Sequence, residues 1–316
     1  MRRRLPDLLF ALFAVSAVAL PFVTEGYELY RFTLAAIYAT GIVGINLLTG
    51  ATGQFSIGHS AFFALGAFAT ALTGSELGLP LYYGLGVAIG VGFIAGFLFG
   101  WPALRLDNVL LALATWGLAM VVPQILRSSH LEKWTGGVQG VYLDQPAPPA
   151  WFPGSIDQWW YGIAVCLMLL TFLLVRNLLA GRIGRAWRGL RDNPLAAEAM
   201  GVNLPIYKTI AFAISAATAA LAGGLVAILN EFVSPDSFTV FFGILLLLGA
   251  VAGGINSIWG ALFAGFLVEF LPDIASNASV AVSFPVLGFL LIGLIWLMPD
   301  GLAERVNRIL RPHRYP

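Results

Sequence analysis

Long apolar runs alternate with short polar breaks along almost the whole chain. A helix that crosses a bilayer needs about 20 consecutive apolar residues. Runs of that kind lie near 7–23, 31–49, 57–73, 82–100, 107–126, 159–177, 209–230, 238–255, 258–271 and 284–298. The pattern predicts an all-α, polytopic membrane protein of about ten transmembrane helices, in a single domain over 1–316. The run at 258–271 is short for a full span. Two polar segments are conspicuous between the runs, a loop at about 127–158 and another at about 178–208.

Composition supports lipid as the solvent. The 316 residues are 59% hydrophobic and 10% charged, and the mean hydropathy is +0.86. Soluble domains carry about 25% charge. The net charge of +1 gives no reason to expect a nucleic-acid partner, and a single cysteine, Cys166, excludes an internal disulfide. No metal-ligand cluster is visible in the sequence.

The charges then orient the spans. With ten spans, the loops place fourteen of the seventeen Lys and Arg residues on one side: Arg2, Arg3, Arg4, Arg105, Arg176, Arg182, Arg185, Arg188, Arg191, Lys208, Arg305, Arg308, Arg311 and Arg314. Arg31, Arg127 and Lys133 fall on the other, with Glu25, Glu28, Glu76, Glu132, Asp144, Asp157 and Asp236. Basic loops stay in the cytoplasm, so both termini and the 178–208 loop are expected there, and the 127–158 loop outside. The N-terminus has a second reading. Arg2-Arg3-Arg4, an apolar run and Ala17-Val18-Ala19 also fit a signal peptide, whose removal leaves the remaining nine spans in the same orientation.

The segment 182–201 holds four arginines, an aspartate and a glutamate in a chain poor in charge. Asn193 suits a helix N-cap and Pro194 the first helical position. Ala196 to Met200 are good helix formers, and Gly201 suits a C-terminal stop. A short, self-capped helix outside the membrane suits docking into a groove on another protein.

Other features admit two readings each. Gln54, Ser56, His59 and Ser60 interrupt the apolar pattern where lipid cannot satisfy them, so they either line a substrate path or form a packed polar cluster. Gly53, Ser56, Ile57 and Phe62 reappear as Gly254, Ser257, Ile258 and Phe263 at one constant offset. Paired, glycine-broken segments of this kind point to a transporter site and bring in Asn256 and Ser257, although chance matches also arise in glycine-rich sequence. Ala211, Ser215, Ala219 and Gly223, with Ala216, Ala220 and Gly224 beside them, form rows of small residues, as do Gly92, Gly96 and Gly100. Such rows mark helix–helix or subunit seams. Glu269, inside an apolar run, either carries protons or substrate or reaches water near the outer interface. The outer loop, rich in proline and carrying Trp151, is either a docking surface, a plug or a solvated connector; Trp159 and Trp160 are expected at the membrane interface.

The chain resembles the permease subunits of bacterial ABC importers for branched-chain amino acids, the M-type subunit in particular. The likeness rests on Gly184-Arg185-Ala186-Trp187-Arg188-Gly189-Leu190-Arg191-Asp192-Asn193-Pro194, Ala196-Ala197, Met200-Gly201, Lys208, Ala211-Phe212, Ser215-Ala216 and Ala222-Gly223-Gly224. Gly50, Gly53-Gln54, Ser56-Ile57-Gly58-His59, Phe62, Thr135-Gly136-Gly137 and Gly140 extend it over nearly the whole chain. The resemblance implies an inner-membrane subunit that is not itself an enzyme, coupled to an ATPase through Arg188, Arg191, Asp192, Asn193, Pro194, Ala197, Glu198 and Gly201. It departs from the family's pattern at 187–190, where tryptophan and glycine replace small apolar residues. It also implies a second permease, two ATPase subunits that bind the ATP, and an extracytoplasmic binding protein; no cofactor is expected on this chain. Consistent with that division, the sequence holds no G-x-x-x-x-G-K-[ST] phosphate loop. Alternatives are a permease for urea or a small amide, an ion-driven transporter using Glu269 or His59, and an intramembrane enzyme, for which no catalytic dyad spacing is present.

With Cys166 replaced by serine, a cysteine at Asp144 is expected to react with a membrane-impermeant thiol reagent added outside intact cells, and one at Asn203 is not. Labelling of the Asn203 position from outside would overturn the orientation.

Overall fold

The computed structural model describes residues 20–22, 24, 26–103 and 108–276, and isolated positions beyond. The expected spans at 7–23 and 284–298, the possible cleavage site and Arg105 fall wholly or largely outside the described residues.

Eight of the expected apolar segments are helices: α1 (Tyr27–Ile45), α2 (His59–Ser75), α3 (Leu81–Ala103), α4 (Asn108–Arg127), α6 (Ile156–Ala180), α9 (Leu204–Asn230), α10 (Val240–Gly253) and α11 (Ile258–Ser276). Between them lie three short helices, α5 (Glu132–Thr135), α7 (Arg182–Asp192) and α8 (Pro194–Ala199), and a strand pair, β1 (Val141–Tyr142) and β2 (Phe232–Val233). Six of the long segments are long and apolar enough to cross a membrane, the first being Tyr27–Ala51, where α1 continues through a π-helical turn at Asn46–Ala51. The segment expected to stop at 271 runs on through Pro272 to Ser276.

Helix α9 is the axis of the bundle. It is almost wholly buried, as is α1, whereas α3, α4 and α6 leave most of their surface outward. Its small-residue rows explain this. A Cβ on Gly223 would overlap the Phe63 carbonyl of α2, and one on Gly66 the Ala220 carbonyl of α9. Gly92 and Gly96 of α3 likewise rest on Ala213, Ala216, Ala217 and Ala220. The rows are thus seams within the chain. Close backbone approach takes the place of the hydrophobic drive that lipid removes.

The described basic residues separate as expected. Arg176, Arg182, Arg185, Arg188, Arg191 and Lys208 lie on α6–α9 at one end of the bundle, and Arg31, Arg127 and Lys133 on elements at the other. At that second end the 127–158 loop is folded down rather than loose. Val141 pairs with Val233 and Tyr142 with Phe232 in antiparallel register. Gly136, Gly137 and Gly140 take positive φ in the turn before β1, which only glycine adopts freely. Arg127 pairs with Asp236. Trp160, expected at the membrane interface, is instead buried; its ring stacks on Tyr82 and its Nε1 donates to the Pro146 carbonyl at 3.2 Å.

Substitution of Gly66 by valine is expected to force α2 from α9 and lower the melting temperature of the purified protein, at a cost of about 1–3 kcal/mol. Gly86, where an added Cβ meets open space, serves as the control: valine there should leave the melting temperature unchanged. Equal melting temperatures for both variants would overturn the role given to this seam.

Candidate functional site

Two helices are broken at the arginine-bearing end of the bundle, and the breaks face each other. The first runs from the π turn through 52–58 to α2, the second from Gly254 to Ser257 between α10 and α11. Gly53 and Gly254, the paired glycines of the sequence echo, both take positive φ, at 72° and 114°. At such breaks carbonyls lose their helical donors, and lipid offers none in return. Two side chains add donors there, beside the backbone bonds from Ser257 N to Gly254 O and from Gly260 N to Ser257 O. Asn46 Nδ2 donates to the Ser257 carbonyl at 2.9 Å and, at 3.4 Å, to that of Gly254. Arg191 Nη1 donates to the Gly50 carbonyl and, at 2.9 Å, to Asn256 Oδ1.

Arg191 reaches this position because α7 is fixed to the bundle. Trp187 is fully buried, and its Nε1 donates to the Tyr207 carbonyl of α9 at 2.9 Å. Leu190 is buried beside it, and Gly184 lies directly on the backbone of Leu179. Trp187 is therefore the anchor of α7.

Helix α8 has the caps its sequence predicts. Asn193 Oδ1 accepts from Ala196 N at 3.1 Å, and Pro194 occupies the first turn. Gly201, at φ 85°, ends it, with Gly201 N donating to Glu198 O and Val202 N to Ala197 O. The next helix starts the same way, with Asn203 Oδ1 accepting from Ile206 N. Ala197 turns inward, while Asp192, Asn193, Pro194, Glu198 and Gly201 are exposed. Leu195 and Met200 are 79% and 85% exposed, a pair of apolar side chains at the tip that pattern alone did not single out.

Gln54, Ser56, His59 and Ser60 are all buried, around the start of α2. Part of this set is satisfied locally. Gln54 Nε2 donates to Thr52 Oγ1 at 2.9 Å, Thr49 Oγ1 donates to the Gln54 carbonyl, and His59 Nε2 lies 2.7 Å from Ser215 Oγ of α9. Thr115 of α4 receives Ile57 N at 3.1 Å, and Gly243 of α10 sits against Ser60. Ser56 Oγ, Ser60 Oγ and Gln54 Oε1 find no partner among the described residues. Leaving such an atom buried and unpaired costs about 1–3 kcal/mol.

The sequence treated the arginine segment and the two polar breaks as separate features, and Arg191 joins them. Its Cγ also stands against Gly53, where a Cβ would lie 3.0 Å away. Arg188, Asn256 and Ser257 adjoin the same junction, with Asn256 and Arg188 exposed. At the other end, Glu269 is not alone in its apolar run. Arg31 Nε lies 3.2 Å from its Oε1 and Arg31 Nη2 2.7 Å from Asp273, with the Phe270 ring 4.2 Å from the guanidinium. Arg31 was legible only as one charge among the outer loops, since nothing local in sequence pairs it with a residue so distant.

Comparison with known proteins places the chain in a family. The profile described as "Branched-chain amino acid transport system / permease component" matches residues 29–297. The high-affinity branched-chain amino acid transport system permease protein LivM of Escherichia coli is 30% identical, over 94% of this chain and 75% of its own length. LivH of Salmonella typhimurium is 25% identical, over 86% of this chain and 93% of its own. The autoinducer 2 import system permease protein LsrC of Yersinia enterocolitica is 25% identical, over 92% and 80%. No solved structure matches the chain. The profile covers most of the chain, and a relative aligns with nearly all of it: the chain belongs to the family of permease components of branched-chain amino acid transport systems.

Proposed function

We propose that this chain is one permease subunit of an ATP-driven importer of branched-chain amino acids in the bacterial inner membrane. A second permease, two ATPase subunits and an extracytoplasmic binding protein complete the assembly, and the ATP is bound by the partner ATPases. The arginine-bearing end faces the cytoplasm and both termini lie there, a reading supported by the distribution of basic residues. The observation that carries the proposal is α8, a six-residue helix with exposed Leu195 and Met200, set on the anchored α7. An exposed apolar tip on a rigid mount fits a groove in an ATPase, and Arg191 links that mount to both helix breaks. Motion imposed on α8 would then reach the breaks through one guanidinium.

In this reading Gln54, Ser56, His59, Ser60, Asn256 and Ser257 line or gate the cytoplasmic half of the route. The unpartnered hydroxyls of Ser56 and Ser60 support it. Glu269 is held by Arg31 rather than free to carry a proton, which accords with ATP as the energy source.

Glu198→Arg and Gly201→Trp are expected to reduce leucine uptake about tenfold or more, a loss of about 1.4 kcal/mol or more in coupling, while the importer still inserts and hydrolyses ATP. Normal uptake with normal ATPase co-purification in both variants would sink the docking role of α8.

Ser56→Phe is expected to abolish uptake in an assembled importer, and His59→Gln to retain most of it. Full uptake in Ser56→Phe with normal assembly would assign this cluster to packing and place the route elsewhere.

A further inference from the structure

A cavity of about 220 Å³ opens at the arginine-bearing end, between the π turn, the end of α6, α7 and the 254–257 break. Its volume is below the roughly 300–1,000 Å³ of sites for drug-sized ligands, which limits it to a small metabolite. Its lining combines three kinds of group. Arg188 and Arg191 make it positive, and among the described residues no acidic side chain lines it. Arg191 approaches Asp192 at 3.5 Å, but both side chains are well exposed, so that pair neutralises little.

Asn46 supplies the second element. It is 6% exposed, and its Nδ2 is committed to two backbone carbonyls. Those carbonyls fix which way the amide points, because an oxygen there would face two acceptors. Its Oδ1 is buried with no partner among the described residues, Asn46 itself lines the cavity, and an amide oxygen accepts only from a donor such as an ammonium. The third element is apolar: Val175, Leu179 and Ile258.

A carboxylate for the arginines, an ammonium for Asn46 and a short aliphatic side chain for the apolar wall together describe one ligand class. We infer that this cavity is a second, cytoplasm-facing site for a free branched-chain amino acid, the product of the import reaction. The inference rests on the function proposed above for the side it faces and the identity of the product. A ligand held between Arg188 on α7 and Asn46 on the π turn braces α7 against the breaks. It favours that arrangement over any in which α7 has moved, and so slows the cycle by its differential affinity for the two. The site makes the importer answer to the solute it has already delivered.

Two measurements test this. In the first, binding of labelled leucine to the purified importer, without its solute-binding protein, is followed in detergent. Saturable binding at millimolar concentration or below is expected, weakened about tenfold by Arg188→Gln through loss of a charge-assisted hydrogen bond and abolished by Leu179→Trp, which fills the cavity. Isovalerate, without the ammonium, and leucine amide, without the carboxylate, should compete poorly. Absence of binding, binding indifferent to both substitutions, or competition by phosphatidylglycerol but not by unlabelled leucine would overturn the site.

In the second, proteoliposomes of the complete importer are loaded with leucine. Internal leucine should slow initial uptake several-fold in the wild type, and not in either variant when each is compared with its own unloaded vesicles. Wild-type uptake that ignores internal leucine would overturn the feedback. Failure of the unloaded wild type to take up leucine would instead overturn the proposed substrate, and the binding measurement decides the site independently of it.

Discussion

Hydrocarbon cannot accept or donate a hydrogen bond, and the rest of this structure depends on how the chain meets that constraint. An unbroken helix meets it alone; a broken one leaves carbonyls that something else must bind. Here the π turn at Asn46–Ala51 and the break at 254–257 lie side by side. Asn46 spans them from within the bundle, and Arg191 spans them from the α7 side. The repair has a mechanical side. Because one of the two donors comes from α7, the Gly50 carbonyl and Asn256 Oδ1 keep their bonds to Arg191 only while α7 holds its place. Displacement of α7 and opening of the breaks are thereby linked by the cost of unpaired polar groups, about 1–3 kcal/mol each.

Around that junction the bundle divides into a stiff interior and a compliant periphery. The small residues of α9 bring α1, α2 and α3 so close that a methyl group at Gly44, Gly66 or Gly92 has no room. Contacts of that kind tolerate no gradual sliding, which favours motion in whole helices over bending of individual ones. Helix α8 has no such enclosure; apart from Ala197 it is exposed throughout. A rigid axis with a free, capped tip moves as a body when the tip is pushed.

Much of this was legible in the sequence because its causes are local. Apolar run lengths gave eight of the described helices, and Asn193, Pro194 and Gly201 gave α8 with its caps, since N-caps and glycine stops act within one turn. The rows around Gly223 were recognisable as a seam, but not as one inside the chain. What escaped depends on distance in sequence. Nothing near Arg31 announces Glu269, nothing near Arg191 announces Gly50, and the two-residue strands β1 and β2 are too short to show a period. Trp187 stood out as a departure from the family's pattern, and its meaning came only from Tyr207, twenty residues on. Of the candidate site, residue types and the importance of both breaks were readable; the guanidinium that unites them was not.

The strand pair at the opposite end carries a consequence for how the protein is made. Val141 can find Val233 only after α6, α7, α8 and α9 have all been synthesised. Until then the segment leading from α4 to α6 stays without its backbone partner, and Arg127 stays without Asp236. Pairings so far apart in sequence form late, because the entropy of closing the intervening chain must first be offset. The order of synthesis thus leaves this surface as the last to set, and any chaperone or protease that reaches it meets it open before it meets it closed.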